Sequence, residues 1–250
     1  MGKTGNIYFA SDFHLGSLMD QGNHDRERKI VRWLDSIKED ASDLYLLGDV
    51  FDFWFEYKSV VPKGHIRMLG KLAELSDSGI QIHMFTGNHD VWMFDYFEKE
   101  INAKVYTAPI SIRLKGLNLF IGHGDGLGPG DNGYKLIKLI FSNKLAQRCF
   151  AAIHPTWGVA LANFFSRKSR ESTGEKDSIY LGDDNEYLVQ YCNEVLKTEK
   201  HDAFIFGHRH MVIDMPLMQG SRYINLGEWF SACNYAILSE AGLDLKKFEE

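Results

Sequence analysis

Seven side chains able to ligate a divalent cation recur along the chain in one local setting: Asp12, His14, Asp49, Asn88, His123, His208 and His210. Ile7-Tyr8-Phe9-Ala10 precedes Ser11-Asp12-Phe13-His14, and Leu44-Tyr45-Leu46-Leu47 precedes Gly48-Asp49-Val50-Phe51-Asp52. Ile82-His83-Met84-Phe85 leads to Thr86-Gly87-Asn88-His89-Asp90, and Leu119-Phe120-Ile121 leads to Gly122-His123-Gly124-Asp125. Phe204-Ile205-Phe206 then leads to Gly207-His208-Arg209-His210. One Asp-x-His or His-x-His arises by chance; five clusters, each behind an apolar run, form a pattern. Seven nitrogen and oxygen donors are too many for one ion with an open position. They suit two ions sharing a carboxylate, which together clamp the attacking and leaving oxygens of a phosphoryl displacement. A thiolate-free, imidazole-rich set favours manganese, iron or zinc over magnesium. A dication also removes the cost of burying carboxylates without compensating charge. His24, His65, His83, His154 and His201 lack this setting and read as surface or packing residues.

The elements that must position these groups follow from the pattern. Short apolar runs rich in β-branched and aromatic residues and bounded by glycine read as buried strands. Ligands at the carboxyl ends of such strands are where open α/β sheets build their sites. Between the strands, residues 25–39 place Ile30, Leu34 and Ile37 on one helical face, and residues 65–77 do so with Ile66, Leu69, Leu72 and Leu75. A third helix is expected over 183–199, with Asp183 and Asp184 at its N-terminal end. Alternation of strand and helix gives a layered α/β fold, and the runs 222–226 and 234–238 imply a second sheet. Residues 130–182 break the rhythm. They read as a helical insertion with an irregular Ser/Thr/Gly/charged tail, inside a single domain covering 1–250.

Composition narrows the class further. With 250 residues, 44% hydrophobic and 25% charged, the chain is ordinary globular material, large enough for a substantial core. No apolar run approaches the ~18 residues of a membrane span, and the first residues lack a signal-peptide core, so a cytoplasmic protein is expected. Three scattered cysteines suit a reducing compartment and exclude a disulfide framework. The net charge of −6 speaks against a generic nucleic-acid binder. It hides an asymmetry, because residues 132–170 contain no acid and seven cations, leaving −13 on the remainder. Those cations are Lys135, Lys138, Lys144, Arg148, Arg167, Lys168 and Arg170.

The five clusters, in order, resemble the motifs of the calcineurin-like metallophosphoesterases: Asp12-x-His14, Gly48-Asp49-x-x-Asp52, Gly87-Asn88-His89-Asp90, Gly122-His123 and Gly207-His208-x-His210. The resemblance implies an αββα sandwich of two mixed sheets. It implies that Asp12, His14, Asp49 and His210 hold one metal, and that Asp49, Asn88, His123 and His208 hold a second, with Asp49 bridging. His89 would stand beside the phosphate as acid or charge stabiliser, and Asp90 would orient it. Protein Ser/Thr phosphatases of this superfamily carry Arg-Gly after the second Asp and Glu after Asn-His. Here Asp52-Phe53-Trp54 and Asp90 stand instead, so that branch is excluded.

The variable parts point elsewhere. Phe51, Phe53, Trp54, Phe55 and Tyr57 crowd behind the second motif, where rings either fill the core or line a site for an apolar ligand or stacked base. The insertion interleaves its cations with apolar residues such as Leu139, Trp157, Phe164 and Phe165. That composition suits an anionic membrane or amphiphile surface, with single-stranded nucleic acid as the competing partner. These details, with His123-Gly124-Asp125-Gly126-Leu127 leading to Asp131 and Tyr134, are similar to a branch of the superfamily acting in lipid A biosynthesis. That branch cleaves a UDP-linked diacylglucosamine lipid with manganese at the inner membrane's cytoplasmic face, the insertion capping the acyl chains. Asn88, His208, Asp131 and Tyr134 would contact the substrate, and Ser166, Arg167, Lys168 and Arg170 its headgroup phosphate. His89 departs from the Arg that better-known members carry. Another phosphodiesterase activity, as a nucleotide pyrophosphatase or nuclease, is the alternative.

Overall fold

A computed structural model describes residues 5–17, 23–129, 132–177, 180, 182 and 185–249, with 132–134 and 167–177 described as backbone alone. The first sheet begins with β1 (Asn6–Ala10), followed by α1 (Asn23–Ile37), β2 (Ala41–Leu47), α2 (Ile66–Asp77) and β3 (Gln81–Phe85). A short α3 (Tyr96–Ile101) and β4 (Lys104–Tyr106) complete this run. The chain then crosses to a second sheet through β5 (Ile110–Leu114) and β6 (Leu117–Ile121). Three helices interrupt it: α4 (Asn132–Ser142), α5 (Lys144–Ala151) and α6 (Pro155–Asp177). After α7 (Tyr187–Leu196) come β7 (Ala203–Phe206), β8 (Val212–Pro216) and β9 (Arg222–Leu226). The hairpin β10 (Asn234–Ser239) and β11 (Gly242–Lys247) returns to the first sheet.

Strand order is β11-β10-β1-β2-β3-β4 in one sheet and β5-β6-β7-β9-β8 in the other. Both are mixed: the first carries an antiparallel pair, β10 and β11, at one edge of its parallel strands, and the second an antiparallel strand at each edge. The central parallel strands are buried along almost their whole length, as strands covered on both faces must be. Between the sheets, Phe9, Tyr45, Leu47 and Phe85 meet Leu119, Ile121, Ile205 and Leu226. Outside the first sheet, α1 and α2 bury Ile30, Trp33, Leu34, Met68, Leu72 and Leu75. Outside the second, α7 buries Leu188, Val189, Cys192 and Leu196 against Phe204, Phe206 and Tyr223. The layers are helix, sheet, sheet, helix, as expected.

Register places the site. Ala10 pairs with Leu46, and Leu47 with Phe85, so the loops after β1, β2 and β3 emerge side by side. Ile121 pairs with Ile205, setting the loops after β6 and β7 next to one another on the facing sheet.

Two expectations about helices change. Ile66 does not join the buried stripe of α2 but is 76% exposed at its first position; Met68, Leu72 and Leu75, at i, i+4 and i+7, form that stripe. The tail of the insertion is not irregular, because α6 runs unbroken to Asp177. Arg, Lys and Glu between residues 167 and 176 are good helix formers and outweigh the Ser, Thr and Gly among them. Asp183 and Asp184 lie outside the described residues.

The insertion sits on the aromatic cluster behind the second motif. Phe51, Trp54 and Phe55 are core, whereas Phe53 and Tyr57 are half-buried and face α5. The Phe150 ring packs tilted against those of Trp92 and Phe55, 4.7 Å and 4.8 Å between centroids. Trp92 Nε1–H donates to the Phe141 carbonyl at 2.9 Å. Gly158 lets α6 press against Tyr57, whose hydroxyl occupies the space a Cβ would need. Lys138 pairs with Asp125 at 2.6 Å and Lys135 donates to the Gly128 carbonyl at 2.7 Å. Two of the seven cations are thereby turned onto the loop that carries His123. Leu139, Trp157, Phe164 and Phe165, by contrast, are 59–74% exposed.

Candidate metal centre

The site is assembled from strand ends whose backbones are bent hard. Asp12, His14, Asp49 and His208 all have positive φ, between 45° and 68°. Each such residue costs on the order of 1–3 kcal/mol and persists only where its surroundings impose it. Here the surroundings do. Asp12 N–H donates to Gly48 O, His14 N–H to Asp49 O and Leu15 N–H to Val50 O, which ties the first two loops together. Arg26, buried in α1, donates to the His14 carbonyl at 2.8 Å and stacks on Phe230. Asn225 holds the Gly207 carbonyl, and Arg209, between the two histidines of the fifth motif, forms a buried ion pair with Glu186 at 2.8 Å. A side chain at Gly87 would collide with Asp49 Oδ1, and one at Gly207 with Asp12 Oδ2. The carboxylates lie directly against backbone.

Three tight groups result among the described residues. Asp12, His14 and His210 form one, Asp12, Asp49 and His123 a second, and His14, Asp49 and His89 a third, each with its donor atoms within 4.8 Å of one another. The Nε2 atoms of His14 and His210 face each other at 3.0 Å. Asp49 Oδ2 stands between the first two groups, 3.7 Å from His14 Nε2 and 3.4 Å from His123 Nε2. Asn88 Oδ1 lies 3.1 Å from His123 Nε2. His208 is outside these groups; its ring lies beside that of His123, 5.1 Å between centroids, while its main-chain N–H donates to Asp12 Oδ2.

The donor set fits divalent cations on two observations. Asp12 Oδ1 is buried and lacks a hydrogen-bond partner. Electrostatics also leave the cluster short of positive charge on its own. Burial opposes ionisation of Asp12 and Asp49, yet neighbouring imidazoles hold both carboxyls well below the usual range. Burial likewise opposes protonation of His123, but the Asp49 carboxylate outweighs it and pushes the imidazole up to about 10. His14 is driven down to about 3, chiefly by burial, and His208 to about 4 by burial and by the neighbouring His123. Protons on one imidazole are compensating for anions that a cation would balance better.

His89 lies at the edge of this cluster, its ring edge-on to His14 at 4.9 Å. Its main-chain N–H donates to Asp49 Oδ1 at 2.8 Å. Asp90 does not orient its side chain. The Asp90 carboxylate accepts from the N–H groups of Gly87, Asp49, Val50 and Phe51, fastening the third motif to the second. Burial, then the adjacent Asp49, raise it to about 7. The reason is geometric: a carboxylate within four N–H groups has no oxygen left for an imidazole.

Asp52 takes the place expected of Asp90. Its Oδ1 is 3.5 Å from His14 Nδ1 and 3.6 Å from His89 Nδ1, and its carbonyl lies 3.1 Å from His89 Nδ1. Sequence reasoning included Asp52 in the second motif without giving it a task. Only its position three residues after Asp49 could have hinted at one.

Ser166 reaches the site from α6, its Oγ 3.2 Å from His89 Nδ1 and 3.3 Å from Asp52 Oδ2. Asp131 and the side chains of Tyr134, Arg167, Lys168 and Arg170 lie outside the described residues. His24 and His154 are exposed, His65 packs against Phe51, and His83 and His201 are buried among rings, all away from the cluster.

Residues 5–212 match the calcineurin-like phosphoesterase family. The UDP-2,3-diacylglucosamine hydrolase of Porphyromonas gingivalis is 40% identical over 258 aligned positions, covering 98% of each chain. The protein of that name from Nitrosococcus oceani is 25% identical over 81% of this chain and 78% of its own. A solved archaeal phosphodiesterase overlays 97% of this chain and 99% of its own with a TM-score of 0.48 at 14% identity.

Proposed function

The chain belongs to the calcineurin-like phosphoesterases, and on that footing we propose that it hydrolyses UDP-2,3-diacylglucosamine to UMP and 2,3-diacylglucosamine 1-phosphate in lipid A biosynthesis. The observation that carries the substrate is the seat of the insertion. Helices α4–α6 are anchored beside the metal centre by Phe141, Phe150 and Lys138, while Leu139, Trp157, Phe164 and Phe165 face water. An exposed apolar surface next to a phosphoester site suits a substrate with a polar head and acyl tails. The 40% identity to a diacylglucosamine hydrolase along the whole chain supports the same reading. The nucleic-acid alternative is weaker, because Lys135 and Lys138 are engaged with the protein.

In this reading Asp12, His14, Asp49 and His210 hold one ion and Asp49, Asn88, His123 and His208 the other, with manganese first and iron or zinc as alternatives. When bound, the ions supply an activated water and positive charge for the phosphoryl oxygens. The chain's own residues do the rest. The α-phosphorus–bridging-oxygen bond breaks as water adds in line; its electron pair stays with the sugar phosphate. His89 donates a proton to, or stabilises charge on, that departing oxygen. Its Nδ1 faces the Asp52 carbonyl, an acceptor only, so Nδ1 carries a hydrogen; Nε2 serves the leaving group in the imidazolium form, in which it holds the second hydrogen and passes it to the departing oxygen. Asp90 keeps the second and third motifs fixed and is a positioning residue. Ser166, Arg167, Lys168 and Arg170 belong to α6, which faces the headgroup in this reading, and Tyr134 to the first turn of α4; with Asp131 they complete the proposed substrate contacts. The exposed rings of α6 also rest on an anionic membrane surface, placing the enzyme peripherally at the cytoplasmic side of the inner membrane. No helix among the described residues is long and apolar enough to cross a membrane.

Substituting Phe164 and Phe165 by Ser tests the substrate. Each methylene moved from water is worth about 0.8 kcal/mol, so losing two rings at an acyl surface is expected to raise KM for the diacyl substrate roughly 10–100-fold. Steady-state hydrolysis of UDP-glucose, which lacks acyl chains, is expected to change less than about twofold, since the substituted rings do not touch a head group. Equal losses on both would show that the rings serve packing alone.

A further inference from the structure

The contact between α6 and His89 goes beyond covering the site. Ser166 is half-buried on α6, and its hydroxyl lies within hydrogen-bond reach of two groups on the core domain, His89 Nδ1 and Asp52 Oδ2. Polarity fixes the direction of these bonds. The Asp52 carbonyl can only accept, which assigns the hydrogen to His89 Nδ1. Ser166 Oγ therefore accepts from that same N–H and donates its own hydrogen to the Asp52 carboxylate. The imidazole is thus gripped on one side by an oxygen of the second motif and an oxygen of the insertion.

We propose that Ser166 is a positioning residue that locks the His89 ring through Nδ1, so that seating α6 over the site and readying His89 for the leaving group are one event. The proposal rests on the reading of His89 as the group serving the departing oxygen. Its consequence is that the insertion tunes the chemical step as well as substrate capture: an enzyme with α6 displaced keeps its metal ligands but holds His89 in several orientations. Orientation of a catalytic group is worth orders of magnitude in rate, and a lost hydrogen bond gives up a part of that.

The test uses the metal-loaded enzyme and two small soluble probes, the 4-nitrophenyl and phenyl esters of UMP. Neither has acyl chains, and only the phenyl ester has a leaving group basic enough to need assistance. Ser166→Ala is expected to lower kcat on the phenyl ester roughly tenfold with KM unchanged, and on the nitrophenyl ester less than about twofold. Ser166→Thr, which keeps the hydroxyl, is expected to recover most of the loss. In a His89→Ala background, Ser166→Ala is expected to cost nothing further, as two residues acting through one group are non-additive. The proposal is overturned if both esters slow equally, if only KM for the diacyl lipid rises, or if the loss persists undiminished without His89. The His89→Ala reference separates the two claims. If that substitution leaves the phenyl ester unaffected, the role of His89 has failed and the proposal falls with it; if it slows that ester and Ser166→Ala does not, the proposal alone has failed.

Discussion

Asp49→Asn is expected to abolish turnover at every concentration of added divalent cation. The substitution is close to isosteric, and Asn tolerates the left-handed backbone that Asp49 adopts. Asn Oδ1 can still accept from the His89 N–H, so the third motif stays attached. What disappears is the negative charge standing between His14 and His123. Both proposed ion sites lose a shared anionic donor at once, and mass action cannot restore a bridge. His210→Ala is the control, because His210 lies with Asp12 and His14 in one group only. Its activity is expected to recover partly at high manganese. Metal content by elemental analysis and turnover by UMP release check both. Unchanged activity in Asp49→Asn would rule out the two-ion centre.

The second large effect belongs to His89. His89→Ala is expected to lower kcat by roughly 10²–10⁴ with bound metal near normal, since acid catalysis and charge stabilisation act on that scale. Its ring sits at the rim, tied to Asp52 and Ser166, whereas the Nε2 atoms of His14 and His210 face each other at 3.0 Å and His123 Nε2 lies 3.1 Å from Asn88 Oδ1. Parallel measurement of kcat and of metal stoichiometry decides the outcome. Metal lost together with activity would make His89 a ligand rather than an acid.

The strand ends were readable from residue order because each had to be an apolar run stopped by a small residue. A carboxylate pressed against backbone, as at Gly87 and Gly207, leaves that spelling no freedom. Strands without that constraint were not readable. β5 and β8 alternate between exposed and half-covered residues, and β4 has three residues, so none offers a continuous apolar run. The aromatic stretch after Asp49 was ambiguous for another reason. Phe53 and Phe55 differ by two positions, yet one is half-buried under Phe150 and the other fully buried. Side-chain alternation cannot distinguish them, because the insertion decides the outcome and packs from elsewhere in the sequence. Asp52 holds the place expected of Asp90 for a similar cause. Which carboxylate meets an imidazole and which meets N–H groups depends on how two loops meet, a contact between segments about forty residues apart.

The central claim is hydrolysis of a UDP-linked diacyl lipid at a two-ion phosphoesterase centre. The most direct measurement compares UDP-2,3-diacylglucosamine, UDP-glucose, a nucleoside phosphodiester and single-stranded DNA with added manganese, with products identified by phosphorus NMR. The account predicts UMP and the diacyl sugar phosphate from the first, with kcat/KM at least about 10²-fold above UDP-glucose, because acyl burial contributes several methylenes at ~0.8 kcal/mol each. Hydrolysis of UDP-glucose, the diester or DNA as fast as the diacyl substrate would contradict it.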